Sequence, residues 1–134
     1  MSLELSQLHN LLARRLASVH VGYLPTEVRV HMGAQLDLVY LSSASLEHIL
    51  EKHGDVEMLD LLVLPKLLET GLWIGDRPNT CSIAFQHPDD GNRYISAIKS
   101  AADGYEHYIT TFHRCGKRQT KSLLKRGPVL RKHL

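Results

Sequence analysis

The change of hydrophobic period near Leu72 limits the possible folds of this chain most strongly. Before Leu72, apolar residues recur at helical spacing; after it, they alternate with polar residues, as in strands packed on one face. We expect strands over Cys81–Gln86, Arg93–Ala101 and Tyr105–His113. The turn sequences between them are His87-Pro88-Asp89-Asp90-Gly91-Asn92 and Ala102-Asp103-Gly104. Strands joined by such short turns predict an antiparallel meander.

The first half of the chain is expected to supply helices. Leucines at helical spacing predict a helix over Ser2–Ser18, and a serine cap predicts another over Leu46–His53, ended by Gly54. A third helix is expected over Val56–Thr70, with a break near Val63–Pro65 because proline interrupts helical hydrogen bonding. The order predicts an α+β fold, with N-terminal helices on one face of an antiparallel meander of about four strands.

Two further strands are expected around the turn at Gly33. Val28–Met32 alternates apolar and polar residues, and Leu36–Leu41 follows the turn. At the other end of the chain, a weak helical segment is expected over Thr120–Lys125. Helices on one face leave the opposite face of the sheet free to meet a ligand.

Composition excludes several classes of protein. The longest apolar run, Leu61-Leu62-Val63-Leu64, is too short to span a bilayer, and the N-terminus lacks the pattern of a signal peptide, so a cytoplasmic location is expected. Cys81 and Cys115 form no framework and predict reduced thiols. The nine histidines show no metal-ligand spacing. No metal and no cofactor are therefore expected.

Charge is divided unevenly along the chain. Residues 107–134 carry eight Lys or Arg and no Asp or Glu, whereas residues 1–106 carry the other eight and all fourteen acidic residues. A segment of charge +8 following one of −6 predicts a polyanionic partner, with nucleic acid the preferred interpretation and a solvated basic tail the alternative. The residues expected to bind nucleic acid are Lys52, Lys117, Arg118, Lys121, Lys125 and Arg126.

The last predicted strand carries the residues best suited to chemistry. Tyr108 and Phe112 are expected in the core, which places His107, Thr111 and His113 on the free face. RNA cleavage without a metal needs a base, an acid and groups that stabilise the phosphorane. Histidine suits the first two tasks, and cations or hydroxyl donors suit the third. The candidate catalytic set is His53, Lys99, Thr111, His113 and Arg114.

Two stretches carry a family resemblance. They are Leu46-Glu47-His48-Ile49-Leu50-Glu51-Lys52-His53-Gly54, before a Leu-rich helix, and Tyr108-Ile109-Thr110-Thr111-Phe112-His113-Arg114 at the end of the meander. With this order, the chain resembles the phage-associated nuclease domains grouped with barnase, EndoU, colicin tRNases and RelE. The resemblance covers Leu38–Arg131. It implies a nuclease domain over residues 38–134, with residues 1–37 as a separate helix-and-strand extension.

The resemblance also implies an activity and its residues. Members of the group are metal-independent ribonucleases that act as toxins, effectors or phage-encoded domains. The family pattern falls on His53 or Lys52 at the helix end, and on Thr111, His113 and Arg114 in the late strand. RNA, with tRNA as one candidate, is the implied substrate, and a cognate inhibitor protein is an implied partner.

Two other functions stay open at this point. One is a nucleic-acid-binding module of the same fold without catalysis. The other is a phage structural or protein-interaction domain, in which the leucine stripe of residues 3–18 is a candidate dimer contact.

Overall fold

One mixed sheet organises the protein in the computed structural model, which describes residues 2–101 and 103–132. Its strands are β1 (Ser18–Tyr23), β2 (Leu38–Ser42), β3 (Leu72–Gly75), β4 (Thr80–Gln86), β5 (Arg93–Ser100), β6 (His107–Cys115) and β7 (Val129–Arg131). Their spatial order is β1-β2-β6-β5-β4-β3-β7. Neighbouring strands are antiparallel except β2 and β6, which run parallel. The fold is therefore mixed α and β.

The predicted meander is present as β4, β5 and β6, each antiparallel to the next. Ala102, the first residue of the second expected turn, lies outside the described residues; Gly104, in the same turn, has a φ of +74°, which glycine adopts without strain. The prediction of about four antiparallel strands was wrong in number and direction. The described sheet has seven strands, and its parallel β2–β6 pair joins segments that are distant in sequence.

Five α-helices accompany the sheet in the described residues. They are α1 (Leu5–Leu12), α2 (Thr26–Met32), α3 (Ser43–Lys52), α4 (Leu64–Thr70) and α5 (Lys117–Leu123). A 3₁₀ turn at Asp60–Val63 precedes α4, and Pro65 lies in the first turn of α4. The break expected in the third helix is thus confirmed. It falls where proline costs least, because the first-turn amides of a helix have no internal acceptor.

The prediction of a strand over Val28–Met32 was wrong, because these residues belong to α2. Pro25 precedes the helix, and Gly33 ends it with a φ of +62°. Only Val28 of this helix is fully buried. A short helix with one buried residue gives no clear helical stripe, so alternation in five residues was not decisive.

The helices do not all lie on one face. Helices α1 to α4 contribute to the main core, with Leu8, Leu11, Val28, Leu46, Ile49 and Leu67 among its buried residues. Helix α5 lies on the opposite face, where Leu123 packs with Ile74, Ala84 and Ile95. We call this second face the open face, because α5 covers only the part of it over β3, β4 and β5. Residues 18–23 form an edge strand of the same sheet.

A bulge in β6 decides which of its side chains reach the open face. Ala97 pairs with Thr111 and Ile98 with Ile109, so Thr110 is an extra residue in β6. The bulge shifts the alternation by one position. His107 was expected on the free face but is fully buried, with Nδ1 2.6 Å from Ser100 Oγ and Nε2 2.7 Å from the Leu36 carbonyl oxygen.

Tyr108 was expected in the core with Phe112, and this was also wrong. Phe112 is fully buried, but Tyr108 is only partly buried and pairs with the exposed Lys99 on the open face. Thr111 and His113 lie on the open face as predicted, because they follow the bulge and pair with Ala97 and Ile95.

Candidate functional site

His53 and His113 lie against each other at the edge of the open face. Helix α3 starts directly after β2, where the Ser45 amide donates to Ser42 Oγ at 3.1 Å, and then contacts β6. His53 follows the last residue of the helix as its C-cap, and its ring stacks on that of His113 with 5.1 Å between centroids and 29° between planes. Both rings are partly exposed. Two residues of the predicted catalytic set, 60 positions apart in the numbering, are therefore neighbours in space.

The surroundings of the two histidines affect the pKa of His53 and the position of the hydrogen on His113. Burial and the neighbouring His113 lower the pKa of His53, against an opposing effect of Asp55. His53 is therefore predominantly neutral at pH 7 and able to accept a proton. His113 Nδ1 lies 3.0 Å from the Arg114 carbonyl oxygen, which can only accept, so this nitrogen carries the hydrogen. Nε2 is therefore the nitrogen of His113 that can contact a ligand.

A cleft of about 240 Å³ opens beside His113, between the sheet and α5. Ile95 and Leu123 provide its apolar lining, and Leu123 anchors α5 to the sheet. Its polar lining comes from His113, Arg118, Gln119, Ser122 and Arg126. Two guanidinium groups beside a histidine form an arrangement suited to a phosphate group, because each guanidinium can donate two parallel hydrogen bonds to phosphate oxygens.

Arg114 is directed to a different partner. Its Nη2 lies 2.8 Å from Oδ1 of Asp60, which also accepts from the Tyr94 hydroxyl at 2.8 Å. The Glu57 amide donates to Oδ2 of Asp60 at 2.8 Å. Burial alone would raise the pKa of Asp60, but these donors outweigh it and lower the pKa. Arg114 thus ties β6 to the 3₁₀ turn that carries Asp60.

Lys99 and Thr111 share the open face but not the cleft. Thr111 lies on β6 two residues before His113 and is partly buried. Lys99 is exposed and pairs with Tyr108, whereas His113 pairs with Ile95. The separation of four positions between Ile95 and Lys99 on β5 corresponds to about 13 Å along the strand. Lys99 can consequently contact only a part of a long ligand that lies away from His113.

Of the predicted nucleic-acid-binding residues, Arg118 and Arg126 line the cleft. Lys117, Arg118 and Lys121 lie on α5, Lys125 and Arg126 follow it, and Lys52 ends α3; all are exposed. In residues 2–101 and 103–132, the ion pairs are Arg14–Glu47 and Arg114–Asp60, and His87 Nδ1 lies 3.9 Å from Asp90 Oδ1. None of these pairs neutralises the cations of α5, so they form a positive surface at the cleft.

Sequence reasoning missed Asp60 and overlooked Gln119 and Ser122. Asp60 carried one signal: it is an acidic residue beside the apolar run Leu61-Leu62-Val63-Leu64, and only 8% of its surface is exposed. A carboxylate in such a segment needs hydrogen-bond donors from elsewhere. Gln119 and Ser122 carried no comparable signal, because both are ordinary residues of an exposed helix.

Comparison with protein-family models, with curated proteins and with solved structures gave no match. Among the helices of the described residues, none is both long and apolar enough to cross a bilayer. The geometry of the cleft and its surroundings is therefore the basis on which function can be inferred.

Proposed function

We propose that this protein is a metal-independent endoribonuclease that binds RNA along α5 and β6. The observation that carries the proposal is the stacked His53–His113 pair beside a cleft lined by Arg118 and Arg126. A neutral histidine, a second histidine with a free Nε2 and two guanidinium groups make up the parts that cleavage by a ribose hydroxyl requires.

The proposed reaction is attack of a ribose 2′-oxygen on the adjacent phosphorus. His53 takes the 2′-hydroxyl proton as the general base, since its lowered pKa keeps it neutral. His113 acts as the general acid and gives a proton from Nε2 to the departing 5′-oxygen. Arg118 and Arg126 stabilise the charge on the phosphorane. The products are a 2′,3′-cyclic phosphate and a 5′-hydroxyl.

Specific contacts also support a second candidate, an RNA-binding module without catalysis. Arg114 is held by Asp60, and Lys99 lies about 13 Å from the level of His113 along its strand. Of the five residues in the predicted catalytic set, only His113 lines the cleft and His53 stacks on it, whereas the other three stand outside. In this module, the phosphate contacts of α5 would set affinity without reading base sequence.

A cleavage assay with four single variants distinguishes these functions. We expect His53→Ala and His113→Ala each to lower the rate of RNA cleavage in EDTA by about 10²–10⁴, the usual contribution of a proton-transfer group. His48→Ala, on an exposed position of the same helix, and His87→Ala, in the β4–β5 turn, are matched controls that should retain the wild-type rate.

Three results would contradict the proposal in different ways. A requirement for added metal would overturn the mechanism. Full activity in both His53→Ala and His113→Ala would overturn the site. Binding of RNA without cleavage of any RNA tested would favour the binding module.

A further inference from the structure

Three aromatic side chains form a line across the open face, remote from the cleft. His20 on β1 pairs with Tyr40 on β2, and Tyr40 pairs with Tyr108 on β6. The ring centroids are 5.7 Å apart between His20 and Tyr40 and 6.0 Å apart between Tyr40 and Tyr108. We call these three residues the aromatic row. Lys99 on β5 pairs with Tyr108 and extends the line by one strand.

Two rings of the aromatic row, those of His20 and Tyr108, are held by hydrogen bonds while remaining accessible. All three are partly exposed. His20 Nε2 lies 2.8 Å from the Gly22 carbonyl oxygen and therefore donates to it, and the Tyr108 hydroxyl donates to Glu106 at 2.6 Å. The Glu106 hydrogen bond, with burial, raises the pKa of Tyr108 to about 12, so its ring stays neutral. Fixed rings lose little conformational entropy when a ligand stacks on them.

The charges around the aromatic row differ between its two sides. Toward the C-terminal end of β6 lie Thr111, His113 and the cations of α5, and the carboxylate of Asp60 at this end is paired with Arg114. Toward the N-terminal end of β6 lie Asp103 and Glu106. A phosphate backbone is therefore favoured on the α5 side, which leaves its bases directed over the rings.

We infer that the aromatic row stacks the bases of single-stranded RNA whose phosphates follow Lys99 and α5. The inference rests on the proposed function for the identity of the ligand. Tyr108 pairs with Lys99 and His113 with Ile95, four positions apart on β5, so the row lies about 13 Å from the cleft. It thus binds a segment beside the cleaved bond. Because bases are available for stacking only when unpaired, the row gives a preference for single strands over duplexes.

The test compares oligonucleotides that differ only in their bases. The probes are a short 2′-O-methyl RNA, which has no 2′-hydroxyl to attack, its abasic counterpart of equal length, and a duplex of the same sequence. We expect the wild-type protein to bind the base-containing single strand about fivefold or more tightly than the abasic strand, as one stacked base requires. The duplex should show no such gain from its bases. Fluorescence anisotropy in EDTA measures all three affinities.

Variants then assign the gain to the aromatic row. Tyr40→Leu and Tyr108→Leu should each lower affinity for the base-containing strand and leave affinity for the abasic strand unchanged. Tyr108→Phe keeps the ring and should retain the wild-type preference. Tyr105→Leu removes an exposed tyrosine outside the row and is the matched control. The comparison within wild type needs no variant, so it holds even if a leucine variant fails to fold.

Equal affinity for base-containing and abasic strands would overturn the inference, as would an equal loss in Tyr105→Leu and Tyr108→Leu. Dimerisation of the wild type that Tyr108→Leu abolishes would also overturn it, because a second copy would then occupy the row. Failure of the proposed function has a different signature. Base-dependent binding without any cleavage would contradict the nuclease function and support base stacking on the aromatic row. Cleavage without base-dependent binding would support the nuclease function and contradict stacking on the row.

Discussion

Asp60→Asn tests whether the carboxylate behind the two histidines is a structural anchor. Asp60 Oδ1 accepts from Tyr94 and Arg114, and its Oδ2 accepts from the Glu57 amide. An asparagine has one acceptor oxygen and one amide nitrogen that only donates. In one orientation of the amide, the nitrogen faces the Glu57 N–H; in the other, it faces the Tyr94 hydroxyl and the Arg114 guanidinium. In either orientation, the amide nitrogen of the asparagine faces another hydrogen-bond donor.

The expected cost follows from the exposure of each partner. The hydrogen bond from the Glu57 amide is partly buried, and a donor left there without an acceptor costs up to about 1–3 kcal/mol. The Arg114 side chain is 41% exposed, so solvent screens its ion pair and the loss of that pair adds little. Asp60→Asn should therefore lower the free energy of unfolding by about 1–3 kcal/mol. Asp89→Asn, on the exposed β4–β5 turn, is the control and should change stability by less than about 0.5 kcal/mol.

Urea denaturation at several pH values measures this effect and its electrostatic origin. The pKa of Asp60 is lowered in the folded protein, so its stabilisation is complete above the unfolded value of about 3.9. It is lost as pH falls through the folded value. The deficit of Asp60→Asn should consequently be largest near pH 7 and shrink as the solution is acidified below the unfolded pKa. A deficit within the range of the Asp89→Asn control, or one that grows in acid, would show that Asp60 is not the anchor.

Two further predictions concern the positive surface and the base. RNA binding should weaken steeply with salt, and reversing the charges of Lys117, Arg118 and Lys121 should reduce this dependence. The slope of log affinity against log salt should fall by about 0.7 for each phosphate that is no longer neutralised. Titrations at several salt concentrations measure the slope, and an unchanged slope would show that this positive surface does not bind the RNA. In a plot of cleavage rate against pH, the fall in rate on the acidic side should lie below the ordinary histidine pKa of about 6.5, because the pKa of His53 is lowered. This fall should disappear in His53→Ala. If it is unchanged in that variant, another residue is the base.

The parts of the fold that could be predicted are those set by local chemistry. The turn around Gly91 and the break at Pro65 depend on neighbouring residues, and both occur where expected. Local patterns were misleading at Val28–Met32, since five alternating residues fit a strand as well as a short helix. Strands β1 and β7 and the parallel β2–β6 pair depend on contacts between distant segments, which no local pattern specifies.

The candidate site was predictable only where strand alternation held. Thr111 and His113 lie on the open face, as alternation counted from Phe112 requires. Alternation failed across the bulge at Thr110, which buries His107 and brings Tyr108 to the open face. The sequence offered His53 and His113 as a pair of suitable chemistry, but their contact depends on how α3 runs beside β6. The Asp60–Arg114 pair joins residues that no sequence pattern associates.

The chemical identity of the RNA ends produced in EDTA decides whether this protein is a metal-independent ribonuclease. Attack by the ribose 2′-oxygen, with protons moved by His53 and His113, leaves a 2′,3′-cyclic phosphate and a 5′-hydroxyl. Phosphorus NMR of a cleaved short RNA identifies the cyclic phosphate. We expect the wild-type protein to form this product in chelator, and the double variant His53→Ala, His113→Ala not to form it. Cleavage leaving 5′-phosphate ends, or cyclic phosphate formed equally by the double variant, would contradict the proposed mechanism.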